Sequence, residues 1–140
     1  MSVGRSAKER LDEFQSVLDR LIDMDDDEVI LVEGRKDRGA LILLGVQGEI
    51  LQVQSSDGLF SVAERLAKDE RRAIIMTDWD RKGGHLCLLL KNALKANEVP
   101  YDDELRKRLV IITRQDIKDV QSLASLYARL VQEVEGRSEP

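Results

Sequence analysis

Apolar residues fall along the chain in a rhythm that switches between two periods. Near the amino end, Leu11, Phe14, Val17, Leu18, Leu21 and Ile22 recur at spacings of three, four and one, which is the stripe of an amphipathic helix. Ser6 stands where an N-cap belongs, with Glu9 three residues on, as in a capping box. Residues 29–32 (VILV) then form a short continuous apolar run, the way a strand buried on both faces reads. The pattern goes on to predict a helix over 36–44 that Gly45 stops and a strand over 49–54 (EILQVQ). A helix over 59–69 carried by Leu59, Val62, Ala63 and Leu66 follows, then a strand over 73–76 and a largely apolar helix over 83–97. Residues 109–113 (LVIIT) read as a fourth strand, and a last helix over about 117–135 places Val120, Leu123, Leu126, Leu130, Val131 and Val134 on one face.

Four strand–helix units in succession imply an α/β fold: a parallel sheet of about four strands with helices on both faces. The N-terminal helix is an addition, laid across the sheet or its helices. The expected division is an acidic helix and connector over 1–28, the α/β domain over 29–135 and a frayed tail over 136–140. Asp23–Glu28 reads as a solvated hinge that ends the first helix.

The net charge of −5 speaks against a nucleic-acid partner until it is located. Residues 1–28 hold 4 Lys/Arg and 9 Asp/Glu, which accounts for the whole excess and leaves 18 of each sign beyond them. The acidity therefore belongs to the N-terminal segment. Composition, at 42% hydrophobic and 35% charged, is that of a soluble globular chain. The longest apolar runs, VILV and CLLL, fall far short of the ~20 residues that span a bilayer, and the first residues lack the apolar stretch of a secretory signal. The sole cysteine, Cys87, sits in an apolar run and reads as a small buried residue in a reducing cytoplasm.

Two segments break the habits of ordinary strand ends. In ILVEGRKD a buried strand runs straight into Glu33, Gly34 and a turn with Asp37; in IIMTDWDRKGG another runs into Asp78 and Asp80, then Arg81, Lys82, Gly83 and Gly84. Residues i and i+2 of a strand project to one side, so strand geometry carried to Asp80 would aim both aspartates into one pocket. In an open parallel sheet, ligands sit beyond the carboxyl ends of the strands; if the first and third strands are neighbours, Glu33 joins them. Three carboxylates together raise one another's pKa unless a cation neutralises them. Hard oxygen donors select Mg²⁺, or Mn²⁺ as the alternative. Arg35, Lys36, Arg38, Arg81 and Lys82 flank the acids and would make the mouth of a metal-loaded pocket positive, suited to a phosphodiester.

These segments resemble the Toprim domain, shared by topoisomerases, bacterial-type primases, OLD-type nucleases and a ribonuclease that matures small ribosomal RNA. The resemblance rests on Glu33-Gly34 at one strand end and Asp78-Trp79-Asp80 at another, with Gly83 where the family's glycine often lies and Asp37 at a frequent aspartate; it covers roughly 28–115. It implies a Rossmann-like Toprim fold, Mg²⁺ held by Asp78 and Asp80, and Glu33 as a general acid or base that also borders the metal. Glu33 and Lys82 are then the catalytic candidates, Gly34, Asp37 and Gly83 the supporting residues, and Arg35 and Arg81 the phosphate contacts. The larger relatives do not fit. Only Tyr101 and Tyr127 are available as nucleophilic tyrosines, one cysteine and one histidine build no zinc module, and no Walker-type glycine loop is present. The nearest look is that of a small stand-alone protein of the archaeal type.

Bland alternatives stand beside each of these. The three acids could cap helix N-termini, Asp37 could do the same, and Arg81 and Lys82 could be solvated loop charges. Trp79, between the aspartates, is expected to face packing, and His85 to be an ordinary helix-start residue. Arg114, Asp116 and Asp119 could border the pocket, with Asp116 read foremost as an N-cap. The clusters Arg65, Lys68, Arg71, Arg72 and Arg106, Lys107, Arg108 precede strands and are expected to be solvated at the far end of the sheet. Two functions follow. One is a Mg²⁺-dependent phosphoryl-transfer protein acting on RNA or DNA, foremost a nuclease. The other is a non-catalytic metal-binding module docked in a ribonucleoprotein or DNA-repair complex, with the N-terminal helix as partner surface or homodimer contact.

Overall fold

Ser6 caps the first helix, α1 (Ala7–Ile22): its hydroxyl accepts the Glu9 amide at 3.1 Å and donates to the Glu9 carboxylate. This is the expected pair, with Glu9 returning a side-chain contact rather than the backbone bond of a full capping box. The structure is a computed structural model that describes residues 5–53 and 56–138. After α1 come β1 (Glu28–Val32), α2 (Arg35–Leu43), β2 (Ile50–Gln52), α3 (Ser56–Lys68), β3 (Arg72–Ile75), α4 (Arg81–Ala96), β4 (Tyr101–Asp102), α5 (Glu104–Thr113), a 3₁₀ turn (Val120–Ser122) and α6 (Leu123–Ser138). Residue 54 of the strand expected over 49–54, and residues 139–140 of the tail, lie outside the described residues.

All pairings in the sheet are parallel, in the order β2-β1-β3-β4. Alternation along β1 sorts the core into two layers. Ile30 and Val32 point toward α1, α2, α5 and α6, and Val29 and Leu31 toward α3 and α4. Strands buried on both faces explain the unbroken VILV and AIIM runs. α2 ends as its sequence predicts: Gly45, at φ +104°, donates to the Ile42 carbonyl and Val46 to the Leu41 carbonyl, a Schellman closure that needs a left-handed residue at that position.

Two expectations are corrected. Residues 109–113 are not a strand but the second half of α5, and the fourth strand is the two-residue β4 beside β3. Leu105, Leu109 and Ile112 are buried at spacings of four and three, whereas Ile111 is 56% exposed, which is helical order. A short β-branched run fits either period, and the register comes from the charged residues ahead of it. Nor is the acidic connector a solvated hinge. Glu28 is the first residue of β1, 3% exposed, and accepts from Arg20 at 2.7 Å, which holds its carboxyl below the usual range. Arg72 binds Asp25 and Asp27, and Arg71 donates to the carbonyls of Asp26 and Asp27.

The stripe on α1 is spent inside the molecule. Phe14, Val17, Leu18 and Leu21 are buried in one cluster with Ile30, Ile74, Leu109 and Leu126, and Phe14 meets Tyr127 edge-on at 5.3 Å. Among the described residues, no helix is long and apolar enough to cross a membrane. If α1 belongs to the core, Phe14→Ala should cost about 3–5 kcal/mol of unfolding free energy, read from chemical denaturation. A loss within experimental error of zero would show that α1 is a detachable addition.

Candidate metal centre

The sheet itself selects where a site forms. β1 lies between β2 and β3; the chain leaves β1 through α2 to one neighbour and returns through α3 to the other. The crevice beyond the carboxyl ends of β1 and β3 is therefore the topological switch point, where open α/β sheets bind ligands. Glu33 is the residue after β1, and Asp78 follows the ladder that Met76 extends by donating to the Leu31 carbonyl. The Glu33 carboxylate accepts the Asp78 amide at 2.7 Å, so the two acids expected to meet do meet.

A third element closes the crevice. The first amides of the 3₁₀ turn leading into α6 have no partner within the helix, and each goes to a carboxylate. Val120 N–H donates to Asp78 Oδ1 at 2.8 Å, Gln121 N–H to Asp37 Oδ1 at 3.0 Å, and Ser122 N–H to Asp119 Oδ1 at 3.0 Å. Asp37 Oδ2 also accepts from Gly34 N–H at 3.1 Å, which caps α2. Asp37 thus takes the capping role the sequence allowed and also ties the 3₁₀ turn to α2. The acids crowd one another. Burial pushes the Asp37 carboxyl up to about 6, aided by the charge of Asp78 and opposed by the Gly34 and Gln121 bonds. Asp78 is likewise pushed to about 6, first by burial, then by the charge and contact of Glu33, against the pull of the Val120 bond.

Strand geometry does not persist to Asp80. β3 ends at Ile75, and Asp80 is the extended N-cap of α4, its Oδ1 accepting from Gly83 N–H at 2.7 Å. Gly83 is required sterically, since a Cβ there would stand 2.0 Å from the Asp78 carbonyl oxygen. The Thr77 hydroxyl donates to the Gly83 carbonyl at 2.9 Å, locking α4 against the Asp78 turn. Trp79 faces packing as expected, its indole donating to the Ile117 carbonyl. Arg35 and the pair Arg81 and Lys82 are exposed in the first turns of α2 and α4, and His85 is exposed on α4.

Several basic residues expected to be solvated are not. Arg106 reaches to the site end of the sheet, donating to the Thr77 carbonyl at 2.8 Å and the Asp78 carbonyl at 2.6 Å. Arg108 binds Glu13 and Ser16 on α1. Asp116 is no N-cap but pairs with Arg10 and Arg129, while Asp119 caps the 3₁₀ turn. Neither the Arg106 clamp nor the captured turn has a local sequence signature, since their partners lie 28–84 residues away.

Among the described residues, no three acidic, histidine or cysteine side chains stand together as a ready coordination sphere. The donor set nonetheless suits a hard divalent cation, which takes one or two carboxylates and completes its shell with water and phosphate oxygens. Glu33 and Asp78 each engage one carboxylate oxygen with a described backbone amide, and the two side chains are in contact.

A family model for the Toprim domain matches residues 28–113. A UPF0292 protein of Methanosarcina barkeri is 30% identical over 93% of this chain and 89% of its own length. One from Pyrococcus abyssi is 36% identical over 84% of this chain and 86% of its own length. Among solved structures, a putative protein from Aquifex aeolicus has the same fold, with a TM-score of 0.58 at 20% identity over 84% of this chain and 98% of that one.

The raised acids set a pH dependence. Folded Asp37 and Asp78 hold protons more tightly than the unfolded chain does, so their contribution to stability is fully present below the ordinary carboxylate range and is lost as pH rises through about 6. Acids with lowered values, such as Glu28 and Asp103, act only at lower pH. Metal-free protein should therefore melt higher at about pH 5.5 than at about pH 7.5, on either side of the folded values near 6, measured by calorimetry in EDTA. Asp37→Asn should flatten that difference; an unchanged slope would refute the assignment.

Proposed function

The chain belongs to the Toprim domain family, and within it to the UPF0292 proteins of archaea, and from that premise we propose that it is a Mg²⁺-dependent phosphoryl-transfer protein acting on nucleic acid, foremost a nuclease. Toprim domains bind divalent metal ions and act on nucleic acid; the nuclease chemistry is our reading. The observation that carries it is the meeting of Glu33 and Asp78 at the switch point, where two carboxylates in contact favour a cation. Asp78 would hold the ion, with Asp80 adjacent and Glu33 bordering it, and Mn²⁺ could replace Mg²⁺ in such an oxygen site. Bound there, a divalent ion supplies Lewis acidity toward a phosphoryl oxygen and lowers the pKa of attacking water.

The residues of the chain would divide the remaining work. Glu33, tethered by one oxygen to the Asp78 amide, presents the other for a proton from the attacking water. The amino ends of α2 and α4 face the crevice beside Gly34 and Asp80 and favour an anion there. Arg35, Arg81 and Lys82, in those first turns, would hold the phosphodiester and balance its charge. Arg106 and Gly83 fix the turn that carries Asp78, so the acid does not have to be ordered during the reaction.

One observation favours the second reading, a non-catalytic module. Asp37 spends both carboxylate oxygens, and Asp78 one of them, on holding the structure together. In that case the metal would dock the protein in a larger assembly instead of cutting a strand.

Asp80→Asn separates the two duties of that residue, because asparagine caps a helix as well as aspartate but lacks the charge. With Mg²⁺ and a mixed panel of RNA and DNA substrates, Asp80→Asn and Glu33→Gln should each lower the cleavage rate at least about a hundredfold with an unchanged melting temperature. A wild-type protein that cuts no substrate in Mg²⁺ or Mn²⁺ would refute the nuclease and leave the docking module.

A further inference from the structure

Cations are distributed unevenly over this molecule. At the amino end of the sheet Arg20, Arg71 and Arg72 are paired with Glu28, Glu49, Asp25 and Asp27. Around α5 and α6, Arg10, Arg108 and Lys91 are paired with Asp116, Glu13 and Asp103. Around the crevice the opposite holds. Arg35, Lys36 and Arg38 on α2, Arg81 and Lys82 on α4, and Lys118 before the 3₁₀ turn are all exposed, and none has an acidic partner among the described residues. Arg65, Lys68, Lys95 and Arg114 are also exposed without an acidic partner among the described residues, but on other faces; the crevice end differs in gathering six such cations from three adjacent segments, where a polyanion would be steered.

Next to the crevice, a groove of about 680 Å³ lies between α2 and the start of α6; the site acids do not line it. Lys36 and Gln121 stand on its walls, and Gln121 is the residue whose amide binds Asp37, so the groove opens beside the acids. Its floor is small and apolar, with Gly39, Ala40 and Ala124. Ile42 and Leu43 rise at its far end, 47% and 82% exposed, and Ser122 and Ser125 offer hydroxyls along one side. Lys36 and Leu43 stand seven positions apart on the helix, so the groove follows α2 for roughly 10 Å.

We propose that this groove holds the stretch of an unpaired nucleic-acid strand that flanks the scissile phosphate, with its phosphates on Lys36 and the neighbouring cations and a base face against the apolar floor. The proposal rests on the phosphoryl-transfer reading and specifies its substrate as single-stranded. A flat ring with polar edges matches an apolar floor with hydroxyl and amide groups at the side. A duplex keeps those ring faces stacked inside itself and has only phosphates and groove edges to offer. An unpaired strand presents both charge and base faces; sequence-tolerant single-strand sites meet these with a basic groove and an apolar, usually aromatic, surface, and here that surface is aliphatic.

The test measures binding separately from cleavage. Fluorescence anisotropy in EDTA, across a salt series, compares a short labelled single strand with its blunt duplex, each as RNA and as DNA. The expected result is single-strand binding about tenfold or more tighter than duplex binding. Lys36→Ala should lower the slope of log K against log salt by about 0.7. Ser125→Trp, at an exposed position lining the groove, adds a ring on which a base can stack and should tighten single-strand binding about tenfold without changing that slope or the duplex affinity. Arg65→Ala, on α3 and away from the groove, should change neither. Equal affinity for strand and duplex, or wild-type binding by both groove variants, overturns the proposal. So does a dimer in sedimentation that Leu43→Ser dissolves, since it would give the groove to a second copy of the chain. If single strands bind as described but are not cut in Mg²⁺, the nuclease reading fails and the groove stands. If they are cut at a rate and affinity indifferent to Ser125→Trp, the groove fails and the nuclease stands.

Discussion

Much of the structure hangs on one 3₁₀ turn whose three leading amides are taken by three carboxylates. Val120, Gln121 and Ser122 would otherwise be orphaned donors at a helix start, close to a buried crevice. Asp78 brings the end of β3 to that turn, Asp37 brings α2, and Asp119 caps the turn itself. Hydrogen bonds to charged groups are worth about 1.5–3 kcal/mol each, and here they also supply the terms that oppose the burial of Asp37 and Asp78. The captured turn fixes α6, and α6 in turn covers α1 and the layer containing Phe14. Site geometry and core packing are therefore one problem in this protein. The turn lies beyond residues 28–113, the stretch that the Toprim family model matches, so the support of the site comes from a segment outside that match.

That division explains what the sequence made legible. Buried parallel strands announce themselves as short unbroken apolar runs, and VILV and AIIM were readable for that reason. Their alternation with helices implied a parallel sheet with a site beyond the carboxyl ends of its strands; that β1 and β3 are neighbours, the condition for Glu33 to meet Asp78, came from the fold. LVIIT defeated the same logic, because β-branched composition says strand while burial at 105, 109 and 112 says helix. Period-two alternation failed at Asp80 for a different reason: the strand had already ended and the residue belonged to the next helix as its cap. Arg106 was placed at the wrong end of the sheet. Its neighbours in sequence precede a strand-like run, but a long guanidinium on a helix can reach a carbonyl 28 residues back. Contacts of that kind are set by packing and leave no periodic trace.

Charge shows a similar gap between composition and arrangement. The acidic excess of residues 1–28 looked like a free, solvated segment. In the fold it is consumed on the spot, with Asp25, Asp27 and Glu28 neutralising Arg72 and Arg20 at the amino end of the sheet. The basic residues of that end are thereby removed from the surface potential, and the cations of α2 and α4 are left to dominate the other end. Net charge is a poor guide to partners when pairing is this local. What a passing polyanion meets is the unpaired remainder.

The same accounting, done oxygen by oxygen, separates the roles of acids that look alike in sequence. Asp37 accepts from Gly34 with one carboxylate oxygen and from Gln121 with the other, so nothing remains for a cation without dismantling either α2's cap or the captured turn. Asp78 gives one oxygen to Val120 and its side chain contacts Glu33, which itself gives one to the Asp78 amide. Asp80 gives one to Gly83 and is otherwise exposed. A support must be saturated and a ligand must not be. In the reading proposed here, Asp78 and Asp80 are each held by one oxygen and keep the second for a divalent ion, while the second oxygen of Glu33 is left for the proton, so anchoring, ligation and proton transfer need not compete. Asp37, in the interior and fully engaged, raises their local negative charge while denying itself to the metal. Such a residue strengthens the case for a cation at the crevice without being one of its ligands.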